Sequence, residues 1–254
     1  MFRSIIPAAG RGTRLSSSPD APPKAMFPLM GRPLLELVLE QTDFIAPADT
    51  WIVVGYKGDE IVSRFGDRYH YAWQHEQLGT GHAVMQCADD FRDYDGTVLV
   101  TFGDMPLFRR ECMKAMCEHN ASRHAACTLL TAVNPAVPMW AHVIRDAEGR
   151  FQDIVEGKDC TPEQLRMPEL FAGVLAFDSR ALFDFLPRLD TRNVQHEYYL
   201  TEVPRLMAEA GLLVETFSTD DPDDMRGINS HDDIPICEEI LRCRSTSSIP
   251  TPNR

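Results

Sequence analysis

A glycine-rich loop after an apolar run is the first stretch of the chain whose residues could do chemistry. The segment AAGRGTR, residues 8–14, follows a strand-like run and contains Gly10 and Gly12. Glycines let a backbone approach a ligand closely, and successive N–H groups in such a loop form a concave surface that suits a phosphate. The spacing is not the dinucleotide fingerprint, because Leu15 stands at the third glycine position, and no Gly-Lys-Ser/Thr follows to make a P-loop. An ordinary strand-to-loop turn remains the alternative.

The use of lysine singles out one cation after this loop. Lysine occurs only at positions 24, 57, 114 and 158, whereas arginine is plentiful and supplies the ordinary solvated charge. Lysine offers a compact point charge and arginine a planar fork, so Lys24 and Arg14 could neutralise a polyphosphate from two directions. The alternative is that Lys24 is a surface-loop residue.

A carboxylate and an amide are candidate ligands for a metal ion. Asp104 ends the apolar run TVLVTFGD, and Asn229 precedes a helix-like segment. Ligands of doubly wound sheets sit at the carboxyl ends of strands, so Asp104 is placed to hold Mg²⁺ on a nucleotide. Because Mg²⁺ often takes only one or two protein oxygens, Asp104 and Asn229 would suffice. A turn at Asp104 and a helix cap at Asn229 are the structural alternatives.

The segment QHEQLGTGHA adds groups that could read a base. It places Gln74, whose amide can hydrogen-bond a base edge, ahead of the close-approach backbone of residues 79–81.

Alternating strand-like and helix-like segments must position these residues. Strands are predicted at residues 4–9, 50–55, 97–104 and 125–133, with helix-like segments between them. This alternation predicts an α/β fold with a doubly wound, mostly parallel sheet. From residue 134 to about 178 the pattern changes to short strands, loops and prolines, which predicts a smaller hairpin-rich lobe. Residues 244–254 have the composition of a disordered tail.

Composition restricts the class of partner. The formal charge of the 254-residue chain is −13, which argues against nucleic acid and anionic membranes as partners. The seven cysteines are scattered without zinc spacing, and the chain has neither a signal-peptide pattern nor a membrane-length apolar stretch. We therefore expect a soluble, cytoplasmic protein.

Together these segments resemble the sugar-nucleotide pyrophosphorylase (NTP-transferase) family, most closely the uridyltransferase domain of bifunctional N-acetylglucosamine-1-phosphate uridyltransferase. The similarity spans almost the whole chain up to the tail. One motif would be weak evidence, whereas seven in order at compatible spacing are specific. They lie at residues 8–14, 23–24, 74–83, 103–104, 154–159, 193–202 and 227–229.

The resemblance implies a fold and a reaction. The fold would be Rossmann-like and GT-A-like over residues 1–243, with a sugar-binding lobe at roughly 134–178 and 190–202, and without the family member's β-helix acetyltransferase domain. The reaction would be attack of a sugar-1-phosphate on the α-phosphorus of an NTP, UTP favoured, with release of pyrophosphate. A protein nucleophile is not needed, because the acceptor phosphate is already anionic and the barrier is mainly orientation and charge repulsion.

The resemblance also implies roles for individual residues. Arg14 and Lys24 would be catalytic residues on the triphosphate, and Asp104 and Asn229 would bind Mg²⁺. The implied nucleotide-binding residues are Ala8, Ala9, Gly10, Gly12, Thr13, Gln74, Gly79, Thr80 and Gly103. The implied sugar phosphate-binding residues are Glu156, Lys158, Gly173, Tyr199 and Thr201.

Two departures from the family pattern concern the acceptor. The family has a glycine-rich turn where this chain reads PMWAHV, which affects a backbone contact expected near Ala141. Phe171 stands where relatives have Asn, so a polar contact to the sugar is lost and N-acetylglucosamine is not fixed as the sugar. Pro7 is shared with the glucose-1-phosphate branch.

Two other functions therefore stay open. The first is a cytidylyltransferase for another phosphorylated small molecule, and the second is a non-catalytic nucleotide-binding regulatory protein. The full set of candidate phosphate-binding and metal-binding residues argues against the regulatory protein, because a binding module does not need all of them. The sequence leaves the oligomeric state open.

Overall fold

The strands follow the predicted alternation. The computed structural model describes residues 1–133 and 140–247. In these ranges the strands are β1 (Phe2–Pro7), β2 (Pro28–Leu29), β3 (Arg32–Pro33), β4 (Thr50–Val54), β5 (His70–Trp73), β6 (Thr97–Val100), β7 (Cys127–Val133), β8 (His142–Arg145), β9 (Phe151–Val155), β10 (Glu169–Asp178) and β11 (Val214–Ser218).

The helices fill the connections. They are α1 (Leu34–Gln41), α2 (Gly58–Phe65), α3 (Thr80–Met85), α4 (Ala88–Phe91), α5 (Arg110–Arg123), α6 (Ser179–Phe185), α7 (Glu202–Glu209) and α8 (Asp233–Ser247). The connection from β5 to β6 contains two short helices, α3 and α4. No helix within the described ranges is both long and apolar enough to cross a lipid bilayer.

The main sheet has the strand order β11-β7-β10-β6-β1-β4-β5. The β1–β4, β1–β6, β4–β5 and β7–β11 pairs are parallel, which confirms the predicted mostly parallel sheet. Both faces are covered, since Ile5 and Ile6 each have no exposed surface and pack into different apolar clusters. Parallel strands bring their carboxyl ends to one edge, so the segments after β1, β5 and β6 meet there.

The strand β10 differs from the prediction. Its sequence was assigned to the lobe, yet it runs antiparallel between β6 and β7 inside the main sheet. Its register shifts between Phe171 and Leu175, around Gly173 with φ of +83°. A bulge at a left-handed glycine bends a strand, and the part before this bulge also pairs with β8, at Leu170 and His142. The strand therefore joins the sheet to the β8–β9 hairpin.

The β8–β9 hairpin and the end of α8 lie in the segments that the sequence assigns to the lobe and the tail. The hairpin is present as the antiparallel pair β8–β9, while residues 134–139, assigned to the start of the lobe, lie outside the described residues. The sequence predicts a disordered tail from residue 244, whereas α8 continues to Ser247. Arg244 donates hydrogen bonds to the carboxylates of Asp221 and Asp224. Residues 248–254 are not among those described.

Candidate active site

Two adjoining pockets open where the parallel strands end. The first, of about 220 Å³, is lined by the segments after β1, β5 and β6. The second, of about 370 Å³, is lined by β10, the end of β9 and the segment before α7. Four residues line both pockets, and we call them the shared edge: Thr80, Phe102, Asp104 and Glu197.

Lys24 lies beside the shared edge and joins the two candidate metal ligands. Its ammonium donates to Oδ2 of Asp104 and, at 2.8 Å, to Oδ1 of Asn229. The Lys24 and Asp104 side chains are only 19% and 23% exposed. The structure thus brings together residues that are 205 positions apart in sequence.

Backbone hydrogen bonds fix this arrangement. The N–H of Lys24 donates to the Gly10 carbonyl at 3.1 Å, so the lysine is tied to the glycine-rich loop. The N–H of Ile228 donates to the Asp104 carbonyl at 3.1 Å, and the N–H of Asn229 donates to Asp233 at 2.8 Å. The oxygens of Asp104 and Asn229 therefore stay close to each other through the main chain.

Asp104 and Asn229 offer oxygen ligands that fit a hard cation. Both oxygens already face one positive charge, the Lys24 ammonium, which is the placement that a shared cation requires. The described residues contain no group of three or more His, Cys, Asp or Glu side chains that could hold a metal ion by themselves. Phosphate and water oxygens would have to complete the shell of a magnesium ion here.

The amide of Gln74 is already partly used within the protein. The side chain is buried, and its Nε2 donates to the Gly79 carbonyl at 3.0 Å and contacts Nδ1 of His82 at 3.1 Å. Its Oε1 accepts no hydrogen bond from the residues described. The amide oxygen is therefore the group of Gln74 that is open for the predicted contact with a base.

Gly79 has a structural role that the sequence did not indicate. A Cβ at this position would lie 2.7 Å from the Tyr198 carbonyl, and φ is +110°, so only glycine fits. The hydroxyl of Thr80 accepts a hydrogen bond from the Leu200 N–H at 3.0 Å. The glycine and threonine thus dock the segment that carries Tyr199 and Thr201 onto the first pocket.

Carboxylates are among the residues that line the second pocket. Thr201 donates to Oε1 of Glu156 at 3.0 Å, and burial raises the pKa of Glu156, assisted by the nearby charges of Asp159 and Glu197. Burial also raises the pKa of Tyr199 to about 12, so its hydroxyl is neutral near pH 7. Glu197 has no side-chain hydrogen-bond or ion-pair partner in the ranges described. Bound hydroxyls could donate to these carboxylates.

Apolar residues also line the second pocket. Trp140, Phe171 and Met105 line the second pocket together with Phe102 of the shared edge. The Ala141 carbonyl accepts a hydrogen bond from the Phe171 N–H at 2.8 Å. This carbonyl is therefore already used by β10, near the point where the resemblance implies a backbone contact. Phe171 also places an aromatic side chain in the second pocket, where the resemblance implies a polar contact to the sugar.

Most of the predicted site residues line one of the two pockets. In the first pocket these are Ala8, Ala9, Gly10, Lys24, Gln74, Gly79, Thr80, Gly103 and Asp104. In the second they are Arg14, Glu156, Gly173, Tyr199, Thr201 and Asn229. Arg14 makes no hydrogen bond or ion pair with the described residues, so its guanidinium is available to an anion.

Three predicted residues line neither pocket. Gly12 lies behind the Lys24 side chain, where an added Cβ would be 3.0 Å from the lysine Cβ, and Thr13 is exposed. Lys158 is exposed and donates to Gln195 at 2.6 Å. Conversely, the sequence reasoning missed Glu197 and Gln77. Glu197 stands two residues before Tyr199 in the same motif, which was the available signal.

The amino-acid sequence matches the model of the MobA-like NTP transferase domain over residues 4–161, more than half of the chain. The chain belongs to this family. It therefore carries a nucleotidyltransferase domain, which confirms the resemblance to the sugar-nucleotide pyrophosphorylase and NTP-transferase proteins. The match covers the glycine-rich loop, Lys24, Gln74 and Asp104 of this NTP transferase domain.

Curated relatives extend the similarity to almost the whole chain. The bifunctional protein GlmU of Enterococcus faecalis is 36% identical over 241 residues, 95% of this chain and 52% of that protein. The bifunctional protein GlmU of an Exiguobacterium species is 33% identical over 246 residues, 97% of this chain and 54% of that protein. This NTP transferase chain thus spans about half the length of the curated relatives it matches.

Solved structures share the fold. A UDP-glucose pyrophosphorylase complexed with UDP-glucose superposes with a TM-score of 0.75 at 16% identity, over 97% of this chain and 100% of that one. A Bacillus anthracis protein assigned as a glucose-1-phosphate thymidylyltransferase gives a TM-score of 0.73 at 16% identity, over 100% of this chain and 98% of that one. The likeness confirms the nucleotidyltransferase type of α/β fold.

Proposed function

We propose that this NTP transferase forms a nucleoside-diphosphate sugar and pyrophosphate from an NTP and a sugar-1-phosphate, with Mg²⁺ as cofactor. The observation that carries the proposal is the shared edge, where two contiguous pockets meet beside Lys24, Asp104 and Asn229. A nucleotide in the first pocket and an acceptor in the second would have their phosphates side by side.

The transfer is a direct displacement at the α-phosphorus. An oxygen of the acceptor phosphate forms a bond to this phosphorus, and the bond from phosphorus to the bridging oxygen of pyrophosphate breaks. Lys24 and Arg14 reduce the repulsion between the two anions and hold them in line. The magnesium ion, held by Asp104 and Asn229, would supply charge neutralisation on the phosphate oxygens. A protein nucleophile is unnecessary.

The first pocket supports uridine as the base. The Nε2 of Gln74 is committed to the Gly79 carbonyl, which leaves the amide oxygen as the open group. This oxygen can accept the N3–H of uracil or thymine, whereas cytosine could offer it only the exocyclic N4–H₂, because N3 of cytosine is itself an acceptor. The same argument leaves UTP and dTTP to be separated by experiment.

The second pocket supports an acceptor with both hydroxyls and an apolar face. Glu156 has one protein donor, Thr201, and can accept further hydrogen bonds from sugar hydroxyls. The ring of Phe171 offers no hydrogen bond to an acetamido group, so N-acetylglucosamine-1-phosphate and glucose-1-phosphate both stay as candidates. The aromatic lining also keeps an alcohol phosphate as a second candidate acceptor, with CTP as the nucleotide.

A substrate panel tests the proposal. The purified protein is incubated with Mg²⁺, one of the common ribonucleoside triphosphates or dTTP, and one sugar-1-phosphate or alcohol phosphate, and pyrophosphate release is measured. We expect release with UTP and a single sugar-1-phosphate, and product mass identifies the sugar. Release only with CTP and an alcohol phosphate would support the second candidate. Nucleotide binding with no release from any pair would support a non-catalytic role instead.

A further inference from the structure

Lys24 occupies the position of a cation between Asp104 and Asn229. Its ammonium donates to Oδ2 of the aspartate and to Oδ1 of the asparagine, the same two oxygens assigned to a metal. We infer that Lys24 exchanges partners during binding: it closes the Asp104–Asn229 pair in the free protein and moves to the triphosphate when the nucleotide arrives. This inference rests on the proposed function and adds an order of events to it.

The charges of Lys24, Asp104 and Asn229 predict that a metal ion alone does not displace the lysine. Asp104 contributes one negative charge, Asn229 is neutral, and the Lys24 ammonium cancels the aspartate. A divalent ion that approaches this trio gains one carboxylate and meets an ammonium beside it. The described residues contain no group of three or more Asp, Glu, His or Cys side chains that could hold the ion, so the free protein offers too few ligands for tight binding.

A triphosphate changes this balance. It brings several negative charges and many oxygen acceptors, so the ammonium gains new partners when it leaves the aspartate. The oxygens that it releases, with those of the phosphates, then supply the ligands of a hard cation. The metal is therefore expected to bind with the nucleotide or after it, and not before it.

The backbone permits this exchange without rearrangement. The N–H of Lys24 is fixed on the Gly10 carbonyl, at the floor of the glycine-rich loop, so only side-chain torsions need to change. After the ammonium leaves, the Ile228 N–H still donates to the Asp104 carbonyl, and the Asn229 N–H still donates to the Asp233 carboxylate. The lysine moves between two sets of fixed partners.

The rarity of lysine makes the exchange measurable. Only four lysines occur, at positions 24, 57, 114 and 158, so protein labelled with ¹³C-lysine gives four Cε–Hε NMR signals. Lys24→Arg assigns the Lys24 signal by its loss. The other three signals serve as internal controls, and equilibrium dialysis with radiolabelled UTP on the same sample shows whether the nucleotide is bound.

We expect three results. A large excess of Mg²⁺ without nucleotide leaves the Lys24 signal unmoved, UTP in the presence of EDTA shifts it, and Asp104→Asn shifts it toward the signals of solvent-exposed lysines. The matched control Asp89→Asn makes the same charge change at a side chain that is 91% exposed, and it should shift nothing. The titrations of the wild-type protein stand even where a variant fails to fold.

The opposite results overturn the inference. A shift of the Lys24 signal on Mg²⁺ alone would show that the metal displaces the lysine without help. Bound UTP with an unmoved Lys24 signal would show that the ammonium keeps its partners. Either result leaves the proposed function intact if the substrate panel releases pyrophosphate, whereas failure of every nucleotide to bind removes both the proposed function and this inference.

Discussion

The two pockets are built in different ways. The first is lined largely by small residues at the ends of parallel strands, with Ala8, Ala9, Gly10 and Gly103 among them. The second is lined mainly by large side chains, such as Trp140 and those after β9 and on the bent part of β10.

This difference separates chemistry from selectivity. A pocket of small residues at strand ends follows from the sheet itself, and it allows the close approach of a phosphate whatever the acceptor is. A pocket made of side chains can be altered residue by residue while the sheet stays the same. Substitutions at the shared edge should therefore remove turnover, whereas substitutions in the second pocket should change which acceptor is used.

The largest effect is expected at Asp104. Replacing Asp104 by Asn keeps the shape of the side chain but removes its charge from the shared edge, so we expect Mg²⁺-dependent turnover to fall by about a thousandfold. Steady-state pyrophosphate release measures the loss, and thermal unfolding shows that the variant is folded. Wild-type rates in Asp104→Asn would mean that the metal is held elsewhere.

Removal of the lysine ammonium should slow the reaction without altering base choice. For Lys24→Ala we expect kcat to fall by about a hundredfold, because one preorganised charge on the phosphates is lost. The ratio of kcat/KM for UTP to that for CTP should stay as in the wild type, since the proposed base contact is made by Gln74 and not by Lys24. A changed nucleotide preference would contradict the separation of these two roles.

A substitution in the second pocket should change selectivity and keep the chemistry. Phe171→Asn restores a polar contact, and we expect kcat/KM for N-acetylglucosamine-1-phosphate to rise relative to that for glucose-1-phosphate by roughly tenfold. The ratio is unaffected by any fraction of unfolded protein. Phe171→Leu, which adds no hydrogen bond, is the matched control. An equal change of the ratio in both variants would mean that a polar contact at residue 171 does not determine the choice of sugar.

The smallest effect concerns the stability of the lobe. Burial raises the pKa of Asp153, on β9, to about 6 from an ordinary value of 3.8. An acid whose pKa is raised by folding stabilises the fold at low pH, and this contribution disappears as the pH rises from about 4 to above 6. Asp153→Asn should therefore raise the free energy of unfolding by about 1–2 kcal/mol at pH 8 and by little at pH 4.

Urea unfolding at the two pH values measures this difference. Asp146, in the β8–β9 turn, provides a control of opposite sign, because hydrogen bonds from the Arg150 backbone and side chain lower its pKa. Asp146→Asn should lower the stability at pH 8. The same stabilisation by Asp153→Asn at both pH values would mean that its ionisation is not the cause.

The sequence predicted the first pocket better than the second. The rule that ligands meet at the carboxyl ends of parallel strands was enough to bring Ala8, Gln74 and Asp104 together. The direction of β10 could not be read from its composition, because a buried antiparallel strand is as apolar as its parallel neighbours. The bulge at Gly173, which turns this strand toward the hairpin, depends on tertiary pairing.

Individual contacts also lay beyond the sequence. The Gln74 amide is a donor to Gly79 only because the main chain folds back at that glycine. Lys158 and Glu156 are two residues apart in one motif, yet the lysine is exposed and the glutamate lines the second pocket. Such assignments depend on the turn after β9 rather than on residue type.

The central claim is that the two pockets are halves of one site in which the nucleotidyl group passes directly to the acceptor. Exchange of ³²P-labelled pyrophosphate into UTP tests it most directly, once the substrate panel has identified the acceptor. We predict no exchange with Mg²⁺ and UTP alone, and rapid exchange when the nucleoside-diphosphate sugar product is also present. Exchange without any sugar substrate would contradict the account, because it requires a nucleophile on the protein.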